Sequence, residues 1–252
     1  MPGHAYTANA IPPRRPGRSE RSGPAGALSF AGLCVLAMAL VWAIAELVPA
    51  VQFKDALALH DFTLLATRPG VNAAATFLLH LLDPLQFVLW GVALVAVALA
   101  RERPRVAVAI VALLGLAPLT SETLKPLLAH PHVQIGVVHI GSASWPSGHS
   151  TAALSLALAG VLAAPARMRR LVAVIGAGFA LAVGCSLLIL AWHMPSDVLG
   201  GYLVASFWAA LDLAALRAAE RRWPTRPRGA RPDPTAAPPP GTMLRHPAAA
   251  AR

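Results

Sequence analysis

The sequence predicts an all-α polytopic membrane protein, a bundle of six transmembrane helices with both termini on the cytoplasmic side. Three observations carry that expectation. Several apolar runs exceed the ~18 residues that mark a spanning helix. Hydrophobic residues make up 56% of the 252-residue chain, acids number only 11, and mean hydropathy is +0.60. Arginine is gathered into every second connection, the pattern expected where cytoplasmic loops hold the positive charge.

The expected spans cover residues 26–50, 74–100, 105–122, 148–165, 171–191 and 198–217. At about 1.5 Å per residue, each reaches across most or all of a ~30 Å hydrocarbon core. The first follows Arg14, Arg15, Arg18 and Arg21 and is longer than a signal-peptide core, so it reads as an anchor. Residues 51–73 then form an external connection in which Lys54, Asp55, His60, Asp61 and Arg68 are mixed with Phe53, Leu57 and Phe62. That mixture suits an interfacial segment packed over the bundle, with a lid or lipid entrance as the alternative. Arg101, Arg103 and Arg105 place the next connection inside.

Span three holds Gly115 and Pro118, which a bundle interior tolerates and which can kink or end the helix. It reaches the outer face near Glu122, Lys125 and Pro126, followed by His130, Pro131, His132 and Gln134. Span four opens on that face at Ser147, Gly148 and His149 and ends inside at Arg167, Arg169 and Arg170. Span five returns outward to Ser186 and Trp192, and span six starts after His193 at Pro195, Ser196 and Asp197. Arg217, Arg221, Arg222, Arg226, Arg228 and Arg231 follow it. Cys34 and Cys185 lie at different depths, which argues against a disulfide. Residues 1–24 and 224–252 are Pro/Ala/Arg-rich and short of large apolar side chains, so both read as disordered cytoplasmic tails flanking one membrane domain over 25–223.

The formal charge of +10 needs no nucleic-acid partner, since arginine at membrane edges and anionic lipid headgroups account for it. The topology instead brings Lys125, His149, His193 and Asp197 to one membrane face. Pro146, Ser147, Gly148 and His149 stand at a helix N-terminus, where unpaired amides and the macrodipole attract anions. Singly, each residue has an ordinary role: an end-of-helix lysine, a Ser N-cap, an interfacial histidine, a helix-start acid. Together they suit phosphoryl transfer, with charge stabilisation from Lys125 and the amides around Gly148. His193 would attack phosphorus, Asp197 would orient it, and His149 would protonate the leaving oxygen and then activate water. This chemistry calls for no metal or cofactor. Two histidines and an acid also suit zinc, but a lysine beside a helix N-terminus favours an anion.

At these residues the chain resembles the type 2 phosphatidic acid phosphatase family, the membrane branch of the vanadium-haloperoxidase-like superfamily. Its pattern is K-x6-R-P, then P-S-G-H, then S-R-x5-H-x3-D. Lys125 fits the first motif, Pro146 to His149 the second, and Ser186, His193 and Asp197 the third. The resemblance implies a six-helix bundle with an outward-facing site, His193 as nucleophile, Asp197 as its partner and His149 as the acid. Two positions depart from it. His132 and Val133 stand where the pattern has Arg-Pro, and Leu187 stands where it has the second arginine. Losing one preorganised transition-state donor costs about 10² to 10³ in rate. A protonated His132 is the expected stand-in for the first arginine, and His130, Gln134, His139, Ser142, Ser144 and Ser186 are accessory candidates.

The resulting expectation is a metal-independent hydrolase in the plasma membrane, its site facing the periplasmic or extracellular side. It would act on the phosphomonoester or diphosphate of a phosphatidate, phosphatidylglycerophosphate or polyprenyl class of lipid. The alternatives are a protein that binds or transports a lipid phosphate without cleaving it, and a lipid phosphotransferase.

Overall fold

The computed structural model describes residues 23–133 and 139–224. Gln134 and nearly all of both expected tails fall outside them. Among the described residues the structure is helical, without strands. Its helices are α1 (Pro24–Leu47), α2 (Pro49–Thr63), α3 (Val71–His80), α4 (Pro84–Ala100), α5 (Pro104–Leu127), α6 (Gly148–Ala163), α7 (Arg169–Ile189) and α8 (Pro195–Arg222). Five of them, α1, α2, α4, α5 and α8, open on a proline at the first turn. There the missing N–H costs nothing and the fixed φ favours the helix.

Four helices, α1, α5, α7 and α8, are long and apolar enough to cross a membrane. The expected second span is broken. Helices α3 and α4 pass the same test only as a pair, bent by 57°. The bend has a local cause, because Asp83 precedes Pro84 and takes an extended conformation, with ψ 150°. The expected fourth span is α6, whose 16 residues extend about 24 Å. Large side chains such as Leu36, Val88, Val108, Val174 and Ile175 remain exposed on these helices. A chain with so many unpaired apolar faces is a multi-pass membrane protein.

Helix α5 differs from expectation in a way that matters for the site. It runs through Pro118 and Pro126 to Leu127, so Lys125 lies on its last turn. The interfacial segment expected at 51–73 becomes α2, a 3-10 turn over Leu64–Thr67 and the start of α3. Gly70 makes the reversal with φ 78°, a left-handed conformation that costs glycine least. Ala56 and Leu59 pack beneath this strap against Leu79, Val183, Leu187 and Val198. Ser196 donates its Oγ–H (2.6 Å) and its N–H (3.3 Å) to the Asp55 carboxylate, which fixes the strap to the start of α8.

A second core lies deeper, where Ile110, Leu113 and Ala117 of α5 meet Ala159 of α6 and Val204 of α8. Helix α1 packs along α8, and α6 along α7. The latter contact is close because a Cβ on Gly176 would lie 2.8 Å from that of Ala157. Both cysteines are free.

Candidate active site

The site is built around the first turn of α6. Ser147 is its N-cap, accepting from the Ser150 N–H at 3.4 Å. Neighbouring helices hold this turn on two sides. Ser121 of α5 donates to the Pro146 carbonyl (3.0 Å), and the Ser147 N–H donates to the Asp197 carbonyl (2.9 Å). Ser150 and Thr151 donate their hydroxyls to the Val198 and Gly201 carbonyls of α8, each at 3.1 Å. Glycine makes that approach possible. A Cβ on Gly200 would meet the Trp145 ring at 2.7 Å, and one on Gly201 would overlap Ser150 Oγ and the Ser147 carbonyl. By helix geometry the Gly148 and His149 amides have no partner within α6.

Over these amides sits an ion pair. Lys125 Nζ lies 2.6 Å from Glu122 Oε1. A Cβ on Gly148 would stand 2.6 Å from that same oxygen and 3.5 Å from Nζ, so the ion pair lies directly over the Gly148 backbone. A groove of about 330 Å³ runs down from here, with Lys125, Glu122 and His149 at the rim and Leu82, Phe87 and Ala152 on its walls. The His149 ring meets Trp192 edge-on, centroids 5.5 Å apart at 69°.

The third element of the site comes from the α7–α8 turn. Ala191 takes φ 54°, the left-handed region, and Trp192 N–H bonds back to the Leu187 carbonyl at 2.9 Å. That reversal sets His193 just before α8. Its Nδ1 lies 3.3 Å from Asp197 Oδ2, which also accepts the Met194 N–H at 2.9 Å. Asp197 is fully buried and His193 is 8% exposed. One residue thus joins both halves: the Asp197 side chain faces His193 while its carbonyl holds Ser147.

The expected phosphate ligands divide. Lys125, Ser147 and Gly148 sit together at the α6 end. His132 lies instead in a buried corner, Nε2 against Ser144 Oγ (2.8 Å) and Nδ1 3.4 Å from Glu46 Oε2. Burial pushes its imidazole below the ordinary value, with Asp197 and Asp55 opposing the shift. That direction works against the protonated His132 expected as a substitute arginine. His130 Nδ1 is 3.6 Å from the same Glu46 oxygen, and its N–H donates to the Ser142 carbonyl. Ser186 spends its hydroxyl on the Ala182 carbonyl one turn back, and Leu187 is fully buried in the apolar core. Nothing cationic reaches the pocket from that position.

Three residues that the sequence reading did not single out for the site belong to its surroundings. Glu46 is an acid at the C-terminal end of an apolar run, 2% exposed, and that placement was itself a signal. Glu122 stands three residues before Lys125, where the two meet on one helix face. Asp55 is tied to Ser196, and desolvation raises its carboxyl above the ordinary range, the Ser196 hydroxyl opposing.

Residues 20–221 match a family model described as the PAP2 superfamily. No curated protein matches the chain. Among solved structures, it is similar to a transmembrane PAP2-type phosphatidylglycerolphosphate phosphatase from Bacillus subtilis, with TM-score 0.63 and 24% sequence identity, over 79% of this chain and 99% of that one.

Proposed function

The chain belongs to the PAP2 superfamily, and from that premise we propose that it is a membrane lipid phosphatase or pyrophosphatase working through a phosphohistidine. The observation that carries the reading is the double use of Asp197, which pairs with His193 and holds the turn bearing Ser147, Gly148 and His149. His193 Nε2 attacks phosphorus while its Nδ1–H is held by Asp197, whose charge stabilises the imidazolium that forms. Lys125 and the Gly148 and His149 amides neutralise the non-bridging oxygens. His149 protonates the departing oxygen and then takes a proton from the water that cleaves the phosphorus–nitrogen bond, releasing phosphate and restoring His193.

A lipid is the fitting substrate because the charged rim opens onto apolar walls. Phe87 is shared with a second groove of about 340 Å³ lined by Val88, Gly91, Val92, Leu114 and Gly115 along α4 and α5. A phosphate at the rim leaves its hydrocarbon tail lying there. The lipid classes expected from the sequence, phosphatidate, phosphatidylglycerophosphate and polyprenyl phosphates, all have this form. The arginine clusters support six spans with both termini cytoplasmic, in the plasma membrane, and hence an outward-facing site.

One observation favours a second reading, binding or phosphate transfer to an alcohol in place of hydrolysis. Leu187 is buried where the resembling family carries an arginine, so phosphate is held with less charge. Phosphate-labelled lipid separates the readings. The purified parent, quenched during turnover, should carry label on protein and His193→Ala none; label on the His193 variant would overturn the phosphohistidine, and label passing only to added alcohols would make the chain a transferase.

A further inference from the structure

The corner behind His193 holds more carboxyl groups than the phosphatase chemistry uses. Glu46 is 2% exposed and Asp197 fully buried, yet both Glu46 oxygens and Asp197 Oδ1 accept no hydrogen bond. Buried carboxylates left so are costly unless a cation or a proton lies between them. Among the described residues Glu46 meets only imidazoles as ion-pair partners, His132 at 3.4 Å and His130 at 3.6 Å. Lys125 is engaged with Glu122. Asp55, a third carboxylate, acts on the same corner and is fixed by Ser196.

We propose that Glu46, His132 and Asp197 form a binding site for one divalent cation of the kind that accepts imidazole and carboxylate together, zinc or manganese. One ligand atom from each residue lies within 4.8 Å of the other two. An ion about 2.0 to 2.2 Å from nitrogen and oxygen ligands fits inside such a triangle with small side-chain adjustments. The second contact of each ligand suits the role. His132 Nε2 can donate to Ser144 Oγ, which leaves the Nδ1 lone pair facing Glu46 for an ion to take up. Asp197 turns Oδ2 to His193 and keeps Oδ1 free.

The consequence for catalysis rests on the phosphatase reading, whereas the site itself rests on geometry. His132 occupies the position where the resembling family has its first motif arginine. A dication there lies in the buried corner, apart from the Lys125–Gly148 rim, and compensates the charge of the two carboxylates, while His193 and His149 still make and break the bonds.

The test uses the full chain in detergent, stripped with chelator and titrated calorimetrically with Zn²⁺, Mn²⁺ and, as a hard-ion control, Mg²⁺. One equivalent of Zn²⁺ or Mn²⁺ should bind, at least tenfold more weakly to Glu46→Gln, and unchanged by His80→Ala at the exposed His80–Asp83 pair. No binding by the parent, or binding indifferent to Glu46→Gln, overturns the proposal. No binding together with a higher melting temperature for Glu46→Gln would assign the corner to a shared proton. Should that variant fail to fold, anomalous scattering from zinc-loaded parent crystals decides: a peak among the three side chains supports the site, and its absence overturns it. Metal binding without phosphate release would sink only the phosphatase reading.

Discussion

The contest for Lys125 is the most consequential single-residue feature of the site. Its ammonium must serve an incoming phosphate, but Glu122 holds it at 2.6 Å over the α6 N-terminus. Glu122 is 60% exposed, so the pair is worth no more than an exposed ion pair, up to about 1 kcal/mol. Removing the acid should release the lysine and relieve repulsion of an anion. Glu122→Gln is expected to tighten competitive inhibition by inorganic phosphate by up to about fivefold, read as an inhibition constant, and to steepen its salt dependence. Unchanged inhibition would mean that Glu122 swings clear before phosphate arrives. At this scale the sequence was legible where a residue's role depends on its neighbours in the chain. Pro146 to His149 and the His193–Asp197 spacing could be read directly, because i to i+4 pairing on a helix start is local. Glu46 could not, since its partners lie 84 and 86 residues away and only the folded chain brings them together.

At the scale of elements, the contact between α6 and α8 decides whether the site exists. Two hydroxyls, one N–H and two glycines hold the first turn of α6 against α8 so closely that no side chain fits between. Gly201→Ala should therefore cost roughly 1 to 3 kcal/mol, as overpacking does, and displace Ser147 from Asp197. The expected outcome is a lower melting temperature with a disproportionate loss of phosphate release; a Gly201→Ala protein of parental activity would show that the α6 position is not what aligns the histidines. Sequence patterning located the helices but misjudged some of their ends. Pro118 and Pro126 are ordinarily breakers, and here α5 continues through both, carrying Lys125 on a turn that was expected to be loop. The break at Asp83–Pro84 went unread because both sides of it are equally apolar.

Taken whole, the molecule is a helical bundle capped on one side by α2 and its turn, with the candidate site beneath that side. The orientation proposed from the arginine distribution can be tested by impermeant thiol labelling in intact cells. On a background with Cys34 and Cys185 replaced, Arg68→Cys in the strap connection should label from outside, and Arg101→Cys only after lysis; the reverse would place the site in the cytoplasm. The measurement that bears most directly on the central claim is phosphate release by the full chain in detergent from phosphatidate, phosphatidylglycerophosphate and polyprenyl phosphates and diphosphates, beside His193→Ala. The account predicts turnover of at least one lipid class by the parent and a loss of about 10³-fold or more in the variant, with the protein still folded. Release by His193→Ala at the parental rate would contradict it.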